Sequence, residues 1–116
     1  MNITAFPTKL SGRVTVPPSK SVAHRMVIAA ALSEGTSTIT NIYPSEDILA
    51  TMSCMRQLGA EIDFTGDRAE ITGIKNIPET AELDCGESGS TLRFLIPVAC
   101  ALGVKTTFKG RGRLPQ

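Results

Sequence analysis

The chain has no tryptophan, one tyrosine, one histidine and three cysteines in 116 residues, and each scarcity closes off a class of function. With four phenylalanines and one tyrosine there is too little aromatic surface for the stacking platforms of single-strand nucleic-acid binders. Twelve Lys and Arg against eleven Asp and Glu leave a net charge of +1, too little for a broad basic face, so no nucleic-acid or membrane partner is expected. Electrostatic recognition has to be local. Cys54, Cys85 and Cys100 are odd in number, have no CxxC spacing and share the chain with one histidine, which argues against a disulfide framework and against a metal site. Cys54 and Cys100 read as thiols buried on helices, and Cys85, beside a glycine-rich turn, as the one with scope to react. No apolar run approaches the ~20 residues that span a bilayer, and no basic stretch with an apolar core and cleavage site opens the chain. The expectation is a cytoplasmic protein of one-domain size. Its 41% hydrophobic and 20% charged residues are those of an ordinary folded protein.

What is present is organised around Pro17-Pro18-Ser19-Lys20-Ser21-Val22-Ala23-His24-Arg25. Proline locks φ and disfavours αR before it, so the Pro-Pro pair is extended and Ser19 is the first available N-cap. A helix starting there offers unpaired NH groups and the positive end of its dipole to an anion, with Lys20 and the Ser21 hydroxyl beside them. Arg25 lies four residues after Ser21, one turn along the same face. The pattern suits a carboxylate or phosphate. Taken alone, it suits solvated charges on an amphipathic helix equally well.

Before this stretch, Asn2 to Phe6 and Arg13 to Val16 read as extended segments around a Ser11-Gly12 turn. The first helix is expected from Lys20 to Glu34, with Val22, Met26, Ala29, Ala30 and Ser33 on one face and Gly35 beyond its end. A β-branched run, Thr36 to Ile42, follows as a strand. Ser45 caps a second helix with Glu46 and Asp47 in its first turn, Ile48, Met52 and Met55 at helical spacing, and Gly59 at its end. The period then changes to two. Ile62 and Phe64, then Ala69 and Ile71, alternate with polar residues around Gly66-Asp67, the signature of a two-residue hairpin loop. After a loop with Pro78, the stretch from Asp84 to Arg93 opens a third helix ending at Gly103, and Val104, Thr106 and Phe108 alternate in a last strand. Pro97 inside that helix costs about 3 kcal/mol in an exposed setting, so a kinked and largely buried helix is expected.

An internal repeat emerges at an offset of 68 residues, with Arg25 on Arg93, Met26-Val27-Ile28 on Phe94-Leu95-Ile96 and Gly35 on Gly103. The unit reads helix, strand, helix, hairpin, and the chain holds one unit and the first two elements of a second. Gly86 to Ser90 is the second anion-ready loop: two glycines let backbone approach a ligand, and Ser88, Ser90 and Thr91 supply caps or donors. A single helix end adds only about 0.3 to 1 kcal/mol for an exposed anion, so two of them must converge to hold one.

Pro18-Ser19-Lys20-Ser21 with Arg25, Asp47 ahead of Leu58-Gly59-Ala60, and Gly86-Glu87-Ser88-Gly89-Ser90-Thr91-Leu92-Arg93 together resemble the N-terminal quarter of the 3-phosphoshikimate 1-carboxyvinyltransferase family, the enolpyruvylshikimate-phosphate synthases of aromatic amino-acid biosynthesis. The resemblance implies an α/β (α+β) lobe built from βαβαββ units, helices inside and sheets outside, one of two such lobes closing on the substrates. It implies transfer of the enolpyruvyl group of phosphoenolpyruvate to the 5-hydroxyl of shikimate 3-phosphate through a tetrahedral intermediate, with no metal or organic cofactor. By the same resemblance Lys20 contacts both substrates, Ser21 and Arg25 bind shikimate 3-phosphate, and the Gly89 backbone approaches phosphoenolpyruvate. Glu87, Ser88, Ser90 and Arg93 surround these; Glu87 stands where the family commonly has asparagine, and Arg93 is the candidate to neutralise it.

Residues 1–17 are expected to join the other lobe and 18–116 to form an incomplete substrate-binding lobe. The tail Lys109 to Gln116 corresponds to the segment that in the family leads into an Arg-Pro pair, so the resemblance implies a partial chain that needs the remainder of the enzyme and lacks both its catalytic acid-base groups and turnover. Three other readings are weighed against this one. The sister family acting on a UDP-sugar shows Lys-Asn where this chain has Lys20-Ser21, and usually a cysteine before its Arg-Pro, absent from Lys109 to Gln116. The basic residues Lys109, Arg111 and Arg113 between glycines resemble a nucleic-acid-binding tail. A lobe that binds shikimate 3-phosphate without reacting it is the remaining alternative.

Overall fold

Each helix begins at a serine. In the computed structural model, which describes residues 1–114, α1 (Lys20–Leu32), α2 (Glu46–Gln57) and α3 (Gly89–Leu102) are capped by Ser19, Ser45 and Ser88. Their hydroxyls accept from the backbone NH of Val22 (3.3 Å), Ile48 (3.4 Å) and Thr91 (3.2 Å). Such a bond satisfies one of the donors that a helix start leaves open. Ser45→Ala is therefore expected to lower the unfolding free energy by about 1 kcal/mol, seen as a lower urea midpoint at unchanged slope.

Five strands, β1 (Thr36–Ile39), β2 (Glu61–Thr65), β3 (Arg68–Thr72), β4 (Thr80–Asp84) and β5 (Lys105–Lys109), complete a mixed α+β arrangement. β2 and β3 form the expected hairpin around Gly66-Asp67, with Thr65 opposite Arg68, and β1 joins the far side of β3 with Thr36 opposite Thr72. β4 and β5 pair in parallel, Leu83 opposite Phe108, with α3 as the crossover. The core gathers Val27 and Ala31 of α1, Ile48, Met52 and Met55 of α2, Leu95 of α3, and Ala69, Ile71 and Leu83 from the strands. α2 lies at its centre and touches α1, α3 and β4.

The repeat survives in packing. Val27, Leu95 and Ala31 are fully buried, Ala99 nearly so, and Gly35 and Gly103 both take positive φ where their helices give way. Pairing differs, since β1 runs antiparallel to β3 while β5 runs parallel to β4.

Several expectations are corrected. Residues 1–19 carry no strand, and Ile3, Phe6, Leu10, Val14 and Val16 are exposed. A strand needs a neighbour for its ladder, and no described strand pairs with them. α1 buries Ala23, His24, Val27, Ile28, Ala30 and Ala31, while Val22, Met26, Ala29 and Ser33 face outward. Small residues are required there because the end of β3 runs hard against the last turn of α1, with Ile74 N donating to Ala31 O at 2.9 Å. β1 stops at Ile39 because Asn41 adopts φ 61°, although Ile42 is still buried and its NH bonds Asp67 O at 2.8 Å. β4 is a strand whose sequence hides it, because Glu79, Glu82 and Asp84 mask an alternation whose inward residues are Ala81 and Leu83.

The third helix is not largely buried either. Thr91, Leu95 and Ala99 point inward, whereas Ile96, Pro97 and Cys100 are exposed. On a solvent-facing side water can serve the carbonyl that proline leaves unpaired, which removes the need for burial. The tail folds back on the glycine-rich loop, with Arg111 N donating to Gly86 O at 2.8 Å. Pro115 and Gln116, and with them the expected approach to an Arg-Pro pair, lie outside the described residues. Among the described residues no helix is long and apolar enough to cross a membrane.

Candidate functional site

The starts of all three helices meet. Lys20, the first residue of α1, places Nζ 2.6 Å from Asp47 Oδ2 in the first turn of α2, with both side chains partly exposed. The Asp47 backbone carbonyl accepts from Thr91 Oγ1 at 3.2 Å, and Thr91 is the residue whose NH Ser88 caps at the start of α3. Lys20 and the Ser88-Gly89 loop are thus joined through Asp47 and Thr91. Arg25 Nη1 donates to the Ser21 carbonyl at 2.7 Å and to its hydroxyl, and the guanidinium lies 4.9 Å above the Phe94 ring. That stacking holds the exposed planar fork against a ring of α3. Lys20 also borders a cleft of about 270 Å³ lined by Pro17, Pro18, Ala23 and Tyr43.

Beneath these charges runs a buried polar row. His24 Nδ1 lies 2.8 Å from Thr51 Oγ1, Thr51 Oγ1 lies 2.8 Å from Thr91 Oγ1, and Thr91 Oγ1 lies 2.7 Å from Ser88 Oγ. Burial pushes the His24 pKa below its ordinary value; Asp47 opposes the shift, and Lys20 and Arg25 add to it. A base depressed in the fold binds its proton less readily than when unfolded. The stability it contributes is therefore present above pH 6.5 and lost as pH falls through the lower folded value. Unfolding by urea across pH 7 to 5 is expected to show that loss, and His24→Asn to remove it.

Of the residues singled out in the sequence, Lys20, Ser21 and Arg25 stand together on α1, and Gly89 stands at the start of α3 with an added Cβ coming only to 3.9 Å of Leu114. Ser88 is buried with its hydroxyl engaged by Thr91, so it serves as a cap and not as a free donor. Ser90 is exposed. Glu87 lies against Gly112 and forms no ion pair with Arg93, which is itself exposed; the neutralisation expected of Arg93 is not made. The structure adds Asp47, as the partner of Lys20, and His24, Thr51 and Thr91, as a linked row, to the residues that the motifs mark. The signal was there: Lys20 and His24 are four apart on one helix, Asp47 and Thr51 four apart on the next.

The cysteines reverse one expectation, the burial of Cys100. Cys85 is fully buried and its thiol is pushed up by burial, so it is not the reactive one. Cys54 is buried as expected, its thiol pushed up to about 12 by burial and by Cys85. Cys100 is exposed, because α3 turns that face outward. At neutral pH a thiol reagent is expected to modify Cys100 in the native protein, and Cys54 and Cys85 only after unfolding. Rapid native modification of either buried thiol would contradict this placement.

A model of the family described as EPSP synthase (3-phosphoshikimate 1-carboxyvinyltransferase) matches residues 5–116. The 3-phosphoshikimate 1-carboxyvinyltransferase of Clostridium beijerinckii is 48% identical over 121 residues, covering 97% of this chain and 28% of that protein. The same-named protein of Clostridium perfringens strain SM101 is 51% identical over 111 residues, covering 93% and 26%. The solved EPSP synthase from Acinetobacter baumannii superposes with a TM-score of 0.71 at 30% identity, over 89% of this chain and 24% of that one. The chain spans about a quarter of the length of the curated relatives it matches.

Proposed function

We propose for this chain, which belongs to the EPSP synthase (3-phosphoshikimate 1-carboxyvinyltransferase) family, that it forms part of the substrate-binding lobe of a shikimate-pathway enzyme of the cytoplasm. The enzyme moves the enolpyruvyl group of phosphoenolpyruvate to the 5-hydroxyl of shikimate 3-phosphate. The hydroxyl oxygen adds to C2 of phosphoenolpyruvate as a proton adds to C3, and loss of phosphate from C2 with a proton from C3 restores the double bond. Residues 18–116 hold the substrates, residues 1–17 join the other lobe, and the acid-base groups belong to the remainder of the enzyme. Lys20 touches both substrates, Ser21 and Arg25 bind shikimate 3-phosphate, and the Gly89 backbone approaches phosphoenolpyruvate.

The observation that supports this reading is the joining of Lys20 to the start of α3 through Asp47 and Thr91. Both substrates are polyanions whose hydration several converging donors must replace. Two helix ends, an ammonium and a guanidinium at one place meet that requirement.

The test is a titration of the isotope-labelled chain. Shikimate 3-phosphate is expected to shift the amides of Ser19 to Ser21 and of Ser88 to Ser90, while the chain alone releases no phosphate from the substrate pair. A response to a UDP-sugar in place of shikimate 3-phosphate would move the assignment to the sister reaction. A salt-sensitive response to oligonucleotide alone would move it to nucleic acid.

A further inference from the structure

We propose that His24 is a positioning residue for the anion site, its imidazole setting, through Thr51 and Thr91, how the amino-terminal ends of the three helices stand to one another. The role rests on the reading that this end of the lobe binds shikimate 3-phosphate. It is carried by geometry that reading does not use. His24 is 2% exposed, Thr51 and Thr91 are fully buried, and the three lie one on each helix. The bonds between them, both 2.8 Å, cross from α1 to α2 and from α2 to α3.

Proton counting gives the row a direction. A threonine hydroxyl has one proton, and that of Thr91 goes to the Asp47 carbonyl at 3.2 Å or to Ser88 Oγ at 2.7 Å. The reverse direction, from Thr91 to Thr51 to His24 Nδ1, would put the ring N–H on the buried Nε2 with nothing to accept it, so Thr51 donates to Thr91 and His24 Nδ1 donates to Thr51. The imidazole is therefore the Nδ1–H form, and its buried Nε2, which has no partner among the described residues, carries a lone pair. A protonated ring would set an N–H in that unpartnered position, and burial disfavours the charge as well. Lys20 and Arg25 on α1 and Asp47 on α2 are the charges around the ring, while α3 presents Thr91 and the Phe94 ring, 6.1 Å away edge-on. Lys20–Asp47 and His24–Thr51 repeat the same α1-to-α2 register, so a shift that broke the buried bond would also displace the exposed pair.

Because the chain has one histidine, the test is clean. Nitrogen spectra of the imidazole are expected to show the Nδ1–H tautomer at pH 7; the Nε2–H tautomer would overturn the proposal. In His24→Leu and Thr51→Val, amides of Ser19 to Ser21 and Ser88 to Ser90 are expected to move without any ligand, and shikimate 3-phosphate affinity to fall tenfold or more. His24→Asn, whose amide N–H can stand where Nδ1–H stood, is expected to restore affinity to within about threefold. Thr51→Val keeps the volume and covers the case in which His24→Leu fails to fold. Wild-type affinity in both His24→Leu and Thr51→Val overturns the positioning role alone. No response of the wild-type amides to shikimate 3-phosphate overturns the site reading and this role with it.

Discussion

Gly73→Ala is expected to lower the unfolding free energy by about 3 kcal/mol, a large part of the stability of a chain this size. The sequence shows Gly73 as an ordinary glycine after a strand, and its φ is not positive. What forbids a side chain is backbone. An added Cβ would fall inside contact distance of the Ser33 carbonyl oxygen, 2.9 Å from the Ser33 carbonyl carbon and 3.5 Å from Ala31 O. The strand cannot retreat, because Gly73 N donates to Gly35 O at 3.0 Å and Ile74 N to Ala31 O at 2.9 Å. These bonds also satisfy a carbonyl that the end of α1 would otherwise leave open. Gly66→Ala is the control. Gly66 has φ 65° and open space around it, so alanine there meets only left-handed strain of about 1 to 2 kcal/mol. Urea midpoints of the two variants should separate accordingly, and equal midpoints would mean that β3 and α1 are not locked together.

Lys20→Ala is expected to weaken shikimate 3-phosphate binding about 10- to 100-fold while changing stability by less than about 1 kcal/mol. The asymmetry follows from exposure. The side chain is 55% exposed and its partner Asp47 31%, so water screens the pair and the fold loses little when it is removed. A bound phosphate or carboxylate displaces that water, and the ammonium then makes a charge-assisted bond of about 1.5 to 3 kcal/mol. In a full-length member of the family the same change should depress turnover with phosphoenolpyruvate far more than it lowers Tm. Lys20→Arg should retain more affinity than Lys20→Ala because it keeps the charge. Unchanged affinity in Lys20→Ala would remove the residue from the site.

The elements were legible wherever the cue was local. Ser19, Ser45 and Ser88 mark the helix starts by side-chain chemistry that acts within three residues, and Gly66-Asp67 marks the hairpin by the turn it permits. Where a cue was hidden or a partner lacking, the reading failed. β4 is held by β5, some 25 residues away, and its acidic residues conceal the alternation. The segments Asn2 to Phe6 and Arg13 to Val16 have strand-like composition and no strand to pair with. The inward face of α1 was misplaced for a related reason. Helical spacing allows several faces, and the one used is chosen by how closely α2 and β3 approach.

The sequence by itself determined where the helices begin and which residues, in two loops of a repeat, could offer donors to an anion, because capping, proline geometry and helix-end charge act over a few residues. Only the tertiary structure decided that those ends face one another. It paired Lys20 with Asp47, sealed Cys85, exposed Cys100, and drew His24, Thr51 and Thr91 into one buried row. Each of these depends on which helix face meets which neighbour, and that is settled by packing across the core rather than by any local preference.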